Sequence, residues 1–484
     1  MLKRFSTKAF NENTLIGVLL ALFFIFFAWM LHLSEGYIGE ADSLTHYKFS
    51  RYAWQYPEFL LHHWAKPFFT LLSSPFAQFG HDGVAIFNLL SALVSCLCAW
   101  LMARKLGYSN RLAIPFLLFF MPIYTLNVIS GLTEVLFGLN LILTACLCVH
   151  RRYLWAAVVI SFSPLIRTEG IFMIPVFMLF FLVARQYKHI PWFFTGWITY
   201  SIVGYFHYGD FFWLISEIPY LGGAVDVYGK GNFFYFFERA NKIFGLFSVI
   251  LISLGMLTMA YQWLRNGFWA LRDELLLLLL PFFIFFLAHG VMWWSGIGSS
   301  LGLYRYMVAI VPLGALLSLK GLNMLASGAM RVYPKPFVAY AVVLIGITMV
   351  SLQAKTGLHN FPQKLQGMDK VMAESSAFIV AGQLHHQKIY YYDPGFFYFI
   401  GFNPWDKSQG QEGVFNPAQP HEQIGEGEIV IWDGHFSPIW RLQLDTLRNS
   451  PYFEELAAFH PEHPFKIFDV DYQVVIFRRN AVEP

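Results

Sequence analysis

The sequence predicts a polytopic α-helical membrane protein with a small C-terminal α/β domain outside the bilayer. Three observations predict it. Of the 484 residues, 57% are hydrophobic and only 13% charged, against about 25% charged in soluble domains. The apolar residues, with 52 Phe among them, gather in long runs joined by short basic connections. After residue 352 the composition turns polar and strand-like. The net charge of +3 is small, and no basic cluster points to nucleic acid.

The first run, Thr14 to Leu33, is uncharged and follows Lys3, Arg4 and Lys8. It is longer than the apolar region of a signal peptide, and no small-x-small cleavage site follows, so it is read as a retained signal anchor. The apolar runs give about eleven spans, at about 14–33, 83–103, 112–129, 132–149, 153–166, 169–184, 191–207, 241–263, 274–292, 305–322 and 336–352. The fifth and sixth are short and are expected as paired half-spans or a tight hairpin, broken at Pro164 and Gly170. Such breaks are tolerated only inside protein or beside a wet cavity.

The positive-inside rule fixes the orientation. With Lys3, Arg4 and Lys8 inside, the connections on the same face hold Arg104, Lys105 and Arg111; Arg151 and Arg152; Arg185 and Lys188; Arg265 and Arg272; and Lys320, Arg331 and Lys335. The expected location is the plasma (inner) membrane, with a cytoplasmic N-terminus and an extracytoplasmic (periplasmic) C-terminal domain.

Residues 1–352 are therefore expected as the membrane domain, with outer loops at about 34–82 and 208–240. The second loop is rich in Tyr, Phe and Gly. It reads either as an interfacial aromatic belt or as a lid over a lipid substrate. Residues 353–484 carry strand-like runs at Lys388–Tyr392, Glu428–Trp432 and Tyr472–Arg478, with helix-like segments at about 367–385 and 438–449. The four cysteines, Cys96, Cys98, Cys146 and Cys148, lie in apolar runs and read as packing residues.

Residues able to do chemistry fall on the outer face. Glu40 and Asp42 stand two residues apart just after the first span, followed by Thr45 and His46. They read as a solvated acidic turn, as ligands of a shared divalent cation such as Mg or Mn, or as a base for a hydroxyl acceptor. Thr45 and His46 are able to hydrogen-bond the same site. Arg167 and Glu169 flank the break between the two short spans, where charge is costly. They form a structural ion pair or face a polar cavity that holds substrate. Glu134 opens the fourth span, where the helix dipole and a Ser130 or Thr133 cap favour it. Tyr304 and Arg305 open the tenth span, and Arg305 either snorkels to lipid head groups or offers its fork to phosphate oxygens. His62, His63 and Lys66 add a basic group, either interfacial anchors or substrate ligands.

With Glu40-Ala41-Asp42, His46-Tyr47, Lys66-Pro67, Leu165-Ile166-Arg167-Thr168-Glu169-Gly170 and Tyr304-Arg305-Tyr306 followed by Pro312, residues 10–350 resemble the GT-C membrane glycosyltransferases. The likeness is to bacterial relatives of protein O-mannosyltransferases and lipid A aminoarabinose transferases. It implies inverting transfer of a sugar from a polyprenyl-phosphate carrier to a glycan, lipid or protein acceptor. By the same resemblance Asp42 would be the base, Glu40 would assist or hold a metal, and Arg305 would meet the carrier phosphate. This chain departs from the common Asp-Glu dipeptide by inserting Ala41, which leaves the choice between Glu40 and Asp42 open. Two other readings use the same residues: a transporter or flippase of a lipid-linked glycan, and a non-catalytic membrane scaffold.

Overall fold

The computed structural model describes residues 11–218, 229–297 and 301–481. The basic residues Lys3, Arg4 and Lys8, and positions 219–228 of the second outer loop, lie outside them. The chain divides into two units. The first is Met1–Leu33 with Phe49–Pro362, and the second is Ser34–Lys48 with Gln363–Pro484.

Among the described residues of the first unit, six helices are long and apolar enough to cross a membrane. They are α1 (Glu12–Leu33), α4 (His81–Lys105), and the helices Leu246–Asn266, Phe268–Ser295, Tyr304–Val332 and Pro336–Leu358. Three shorter apolar helices join them, Thr133–Val149, Tyr153–Ile166 and Gly170–Val183. The chain is thus a multi-pass membrane protein, with fewer uninterrupted long helices than the eleven expected spans. The run at about 112–129 shows why. It splits into the helices Ile114–Phe119 and Pro122–Asn127, because proline opens a new helix more readily than it continues an old one.

Burial separates the periphery of this unit from its centre. Only 22% of the α1 span and 11% of Pro336–Leu358 are buried, against 83% of Tyr304–Val332. The peripheral helices turn Leu22, Ile25, Trp29, Tyr340 and Leu344 outward, as a lipid-facing surface does. At the centre, Leu246–Asn266 crosses Val311–Val332 with glycines at the contact. A Cβ on Gly255 would lie 2.1 Å from the Leu317 carbonyl oxygen, and one on Gly321 2.1 Å from that of Leu251. This close backbone approach is the small-residue packing that membrane helices use in place of a hydrophobic drive. All four cysteines are buried without a disulfide.

Lys320 departs from its expected place in a connection. It is buried inside Val311–Val332, and its Nζ lies 2.7 Å from each oxygen of Glu274. An ammonium inside an apolar helix is retained only with such a partner.

The second unit is built on a five-stranded sheet of order β2-β1-β3-β7-β4. The strands are β1 (Ile389–Tyr391), β2 (Gly410–Glu412), β3 (Ile429–Asp433), β4 (Phe453–Phe459) and β7 (Val474–Arg479), with β5 (Lys466–Ile467) and β6 (Val470–Asp471) forming a separate ribbon. β1 runs parallel to β2 and β3, and β7 is antiparallel to β3 and β4. The strands are apolar on both faces and split by parity. Ile389, Tyr391, Ile429, Ile431, Val474 and Ile476 enter one core, while Tyr390, Val430, Trp432, Val475 and Phe477 enter the other.

Helix Gly367–Ala381 covers the first core, and so does the segment after α1. Tyr37 and Leu44 are buried in it, the Tyr37 hydroxyl donates to Asp369 at 2.8 Å, and Gln363 donates its amide to the Tyr37 carbonyl at 2.8 Å. The first part of the outer loop read at 34–82 therefore packs with the C-terminal sheet.

Candidate active site

The first unit holds a buried charge cluster assembled from distant segments. The break between helices Ser163–Ile166 and Gly170–Val183 presents Arg167 in an extended conformation, φ −150° and ψ 137°. Gly170 permits the break, since a Cβ there would come within 2.3 Å of the Ser163 carbonyl carbon. The Arg167 fork pairs with Glu134 at 2.7 Å and Glu169 at 2.6 Å, and donates to the Thr133 hydroxyl at 3.0 Å. Its guanidinium lies 4.8 Å from the centre of the Tyr306 ring, and its Nε–H has no acceptor among the described residues.

Glu134 is 1% exposed and is also met by Arg305 Nε at 3.5 Å. The expected capping role gives way to this pairing. The helix begins at Leu132 with no side-chain cap, and Thr133 serves Arg167 instead.

Lys66 completes the cluster. Its Nζ donates to the Thr168 hydroxyl at 3.0 Å. Lys66 precedes Pro67, which opens helix α3 (Pro67–Ala77), and stands at φ 66°, a left-handed conformation costly for a residue with a side chain. Burial pushes its ammonium down to about 8, against the pull of Glu169. Lys66, Arg167 and Arg305 thus bring three cationic side chains beside two carboxylates, Glu134 and Glu169.

Sequence reasoning left out three members of this neighbourhood. His289 stacks on Tyr306 at 4.9 Å with its Nε2 3.9 Å from Glu169. Its one sequence signal is a lone histidine in the apolar run at about 274–292, which drew no reading in the sequence analysis. Tyr306 carried no assigned role within its motif. Arg239, on the far side of the second outer loop, donates to the Tyr304 hydroxyl at 3.2 Å.

The two loop histidines take structural partners. The His62 ring stacks on Phe49 at 4.4 Å, and its Nδ1 accepts the Ala65 N–H at 3.3 Å. His63 donates to the Leu214 carbonyl at 3.2 Å, and burial pushes it down to about 4, so it is neutral near pH 7.

The remaining predicted residues sit on one helix, α2 (Glu40–Tyr52), whose first turn carries Glu40 and Asp42. Glu40 starts the helix at φ 65°, directly after Gly39 at φ 103°. Glu40 is exposed and Asp42 half-buried, whereas Ser43, Leu44 and His46 are buried. The Thr45 hydroxyl donates to the Ala41 carbonyl at 2.9 Å, which ties it to its own helix. Further along, Lys48 pairs with Glu412 at 2.6 Å within the second unit.

The sheet unit has acidic side chains of its own at the ends of adjacent parallel strands. Asp393 follows β1 and accepts the Gly395 N–H at 2.8 Å. Asp433 ends β3 and accepts the N–H groups of His435 and Phe436 at 3.0 and 2.6 Å. Burial, reinforced by the Asp433 charge, pushes Asp393 up to about 8. These are turn-forming carboxylates.

No protein-family profile matches the sequence, and no curated protein matches it. The fold does match solved structures. ArnT from Cupriavidus metallidurans bound to undecaprenyl phosphate aligns with a TM-score of 0.63 at 12% identity, over 96% of this chain and 97% of that one. Its apo form aligns with the same score at 11% identity. The mycobacterial arabinofuranosyltransferase AftD aligns with a TM-score of 0.57 at 11% identity, over 98% of this chain but only 40% of AftD. At these identities the likeness speaks for the fold, and it runs nearly end to end in both ArnT structures. The chain is a multi-pass membrane protein with the GT-C fold in its ArnT-like form.

Proposed function

We propose that the protein is an inverting glycosyltransferase of the plasma (inner) membrane, moving a sugar from a polyprenyl-phosphate carrier to a glycan, lipid or protein acceptor on the outer face. The observation that carries this is the cluster of Lys66, Arg167 and Arg305, in which the two arginines pair with Glu134 and Glu169 and Lys66 donates to Thr168, in a fold similar to a protein solved with undecaprenyl phosphate.

In this reading the carrier phosphate meets Arg305 and Lys66. Arg167 is largely committed to Glu134 and Glu169 and fixes the field around them. The acceptor oxygen forms its bond to the anomeric carbon as the bond to the phosphate oxygen breaks. The electron pair leaves with the carrier phosphate, whose growing charge the cations stabilise. The acceptor proton passes to Asp42 as general base, with Glu40 assisting. A phosphate already leaves well, so a strong general acid is unnecessary.

A divalent cation such as Mg or Mn at Glu40 and Asp42 belongs to the same proposal. No group of three or more His, Cys, Asp or Glu arranged to hold a metal occurs among the described residues. Such an ion would complete its shell with substrate oxygens and water. Activity unchanged after exhaustive chelation would remove it from the account.

The test is transfer by the purified full chain, supplied with a radiolabelled polyprenyl-phosphate sugar and a membrane extract as acceptor. Labelled product should form in wild type and fall at least tenfold in Arg305→Ala. In proteoliposomes, movement of the labelled lipid across the bilayer with no covalent product would overturn the proposal in favour of a flippase.

A further inference from the structure

The first unit has a second polar centre that the transfer reaction does not use. It lies along the helix Val311–Val332, which rises about 33 Å over its 22 residues. Arg305 sits in the turn leading into this helix, while the second centre runs from Lys320 to Arg331. Beyond the crossing at Gly255 and Gly321, the C-terminal parts of Leu246–Asn266 and Val311–Val332 line a shared cavity of ≈ 850 Å³. That is within the roughly 300–1,000 Å³ of small-molecule sites.

The floor of this cavity is built and buried. Lys320 Nζ reaches both Glu274 oxygens at 2.7 Å, with side chains 8% and 12% exposed. The Tyr108 hydroxyl donates to the same carboxylate at 2.5 Å. An ammonium has three donors, and two are spent on Glu274. Glu274 stands directly before a π-helical turn, Leu275–Leu279, a widened geometry often kept at functional sites.

The rim is cationic. Arg265 and Arg331 both line the cavity. Among the described residues neither has a carboxylate within ion-pair distance, and the Arg265 fork only donates to the Tyr261 hydroxyl at 3.4 Å. Three cations against one carboxylate leave an excess of two positive charges. Leu257 and Leu271 supply an apolar wall beside them.

We propose that this cavity binds a phosphate-bearing anion, with the head group of an anionic phospholipid as its occupant. The phosphate would lie between the forks of Arg265 and Arg331, which suit its oxygens, and accept the remaining Lys320 N–H. The acyl chains would leave along Leu257 and Leu271.

The test is native mass spectrometry of the delipidated full chain, titrated in turn with phosphatidylglycerol, phosphatidylcholine and inorganic phosphate. Wild type should retain phosphatidylglycerol over phosphatidylcholine. The double variant Arg265→Gln/Arg331→Gln should lose at least tenfold in affinity, and Arg265→Lys/Arg331→Lys should keep most of it. Ser327→Trp, which fills the cavity with both arginines present, should lower affinity as well and serves if the Gln variant does not fold. Retention that survives excess inorganic phosphate supports the lipid occupant. Displacement by inorganic phosphate supports the anion site but overturns the lipid as its source. Equal retention of the lipids in wild type, the Gln variant and Ser327→Trp would overturn the site itself.

Discussion

Glu134 is buried and Glu169 half-buried in the membrane unit, each within 2.7 Å of the Arg167 fork. Glu40 and Asp42 lie in the sheet unit, in the first turn of α2, one exposed and one half-buried. The difference separates two uses of a carboxylate. One that is buried and locked to a guanidinium is a fixed negative charge. Taking a proton would leave its partner uncompensated in a dry site, so it serves as scaffold for the cations. A general base needs access to the acceptor and freedom to exchange its proton, and the proposed function gives that role to the second pair. Under the proposed function, cations of the membrane unit meet the carrier phosphate and Asp42 takes the acceptor proton.

The strongest way to break this division is Arg167→Ala. It takes the shared guanidinium from Glu134 and Glu169 and should cost about 3–5 kcal/mol of stability, read as loss of thermal stability in detergent. Normal melting in that variant would remove the scaffold role of Glu134 and Glu169. Arg305→Ala should leave melting unchanged. It should raise the KM for the lipid-linked donor about 10- to 100-fold, the range of a lost hydrogen bond to a charged group, with Arg305→Lys intermediate.

Lys66 sharpens the comparison through pH. Its ammonium titrates near 8, so charge leaves the cluster as pH climbs through 8. The donor KM should then rise severalfold between pH 7 and 9. Lys66→Arg, which stays charged throughout, should flatten the profile.

The smallest expected effect belongs to the sheet unit. Asp393 holds its proton up to about 8 in the folded state, against an ordinary 3.8. The unfolded chain binds fewer protons across that window, so this residue's contribution to stability falls as pH rises from about 4 to about 8. Asp393→Asn keeps the oxygen that accepts the Gly395 N–H. It should abolish that slope and raise the melting temperature at pH 8 by on the order of 5 °C, followed by near-ultraviolet circular dichroism.

Much of this was legible in the chain. Leu165-Ile166-Arg167-Thr168-Glu169-Gly170 announced a charged break, because charge between two apolar half-helices needs partners. Lys66, Glu134 and Arg305 were each nameable from an outer helix end, and all three enter the cluster. What the sequence hid were contacts made across hundreds of residues. Nothing local to Tyr37 or Leu44 shows that they enter a core completed by strands after residue 388. Phe453-Glu454-Glu455-Leu456 gives no alternating signal, yet it forms β4, an edge strand whose exposed glutamates are tolerated beside β7. Lys320 looked like a connection residue because its carboxylate partner lies on another helix. The ring contact of His62 with Phe49 and the hydrogen bond of His63 to Leu214 were likewise invisible in one dimension.

The most direct measurement compares Asp42→Asn with Glu169→Gln in the same purified preparation, scoring sugar transfer and melting temperature together. Asp42→Asn should lose at least about 100-fold in transfer, the lower range of general base catalysis, with melting unchanged. Glu169→Gln should lower the melting temperature, and its residual transfer should track the folded fraction. Full transfer by Asp42→Asn, with activity lost in a stably folded Glu169→Gln, would contradict this assignment and move the base into the membrane unit.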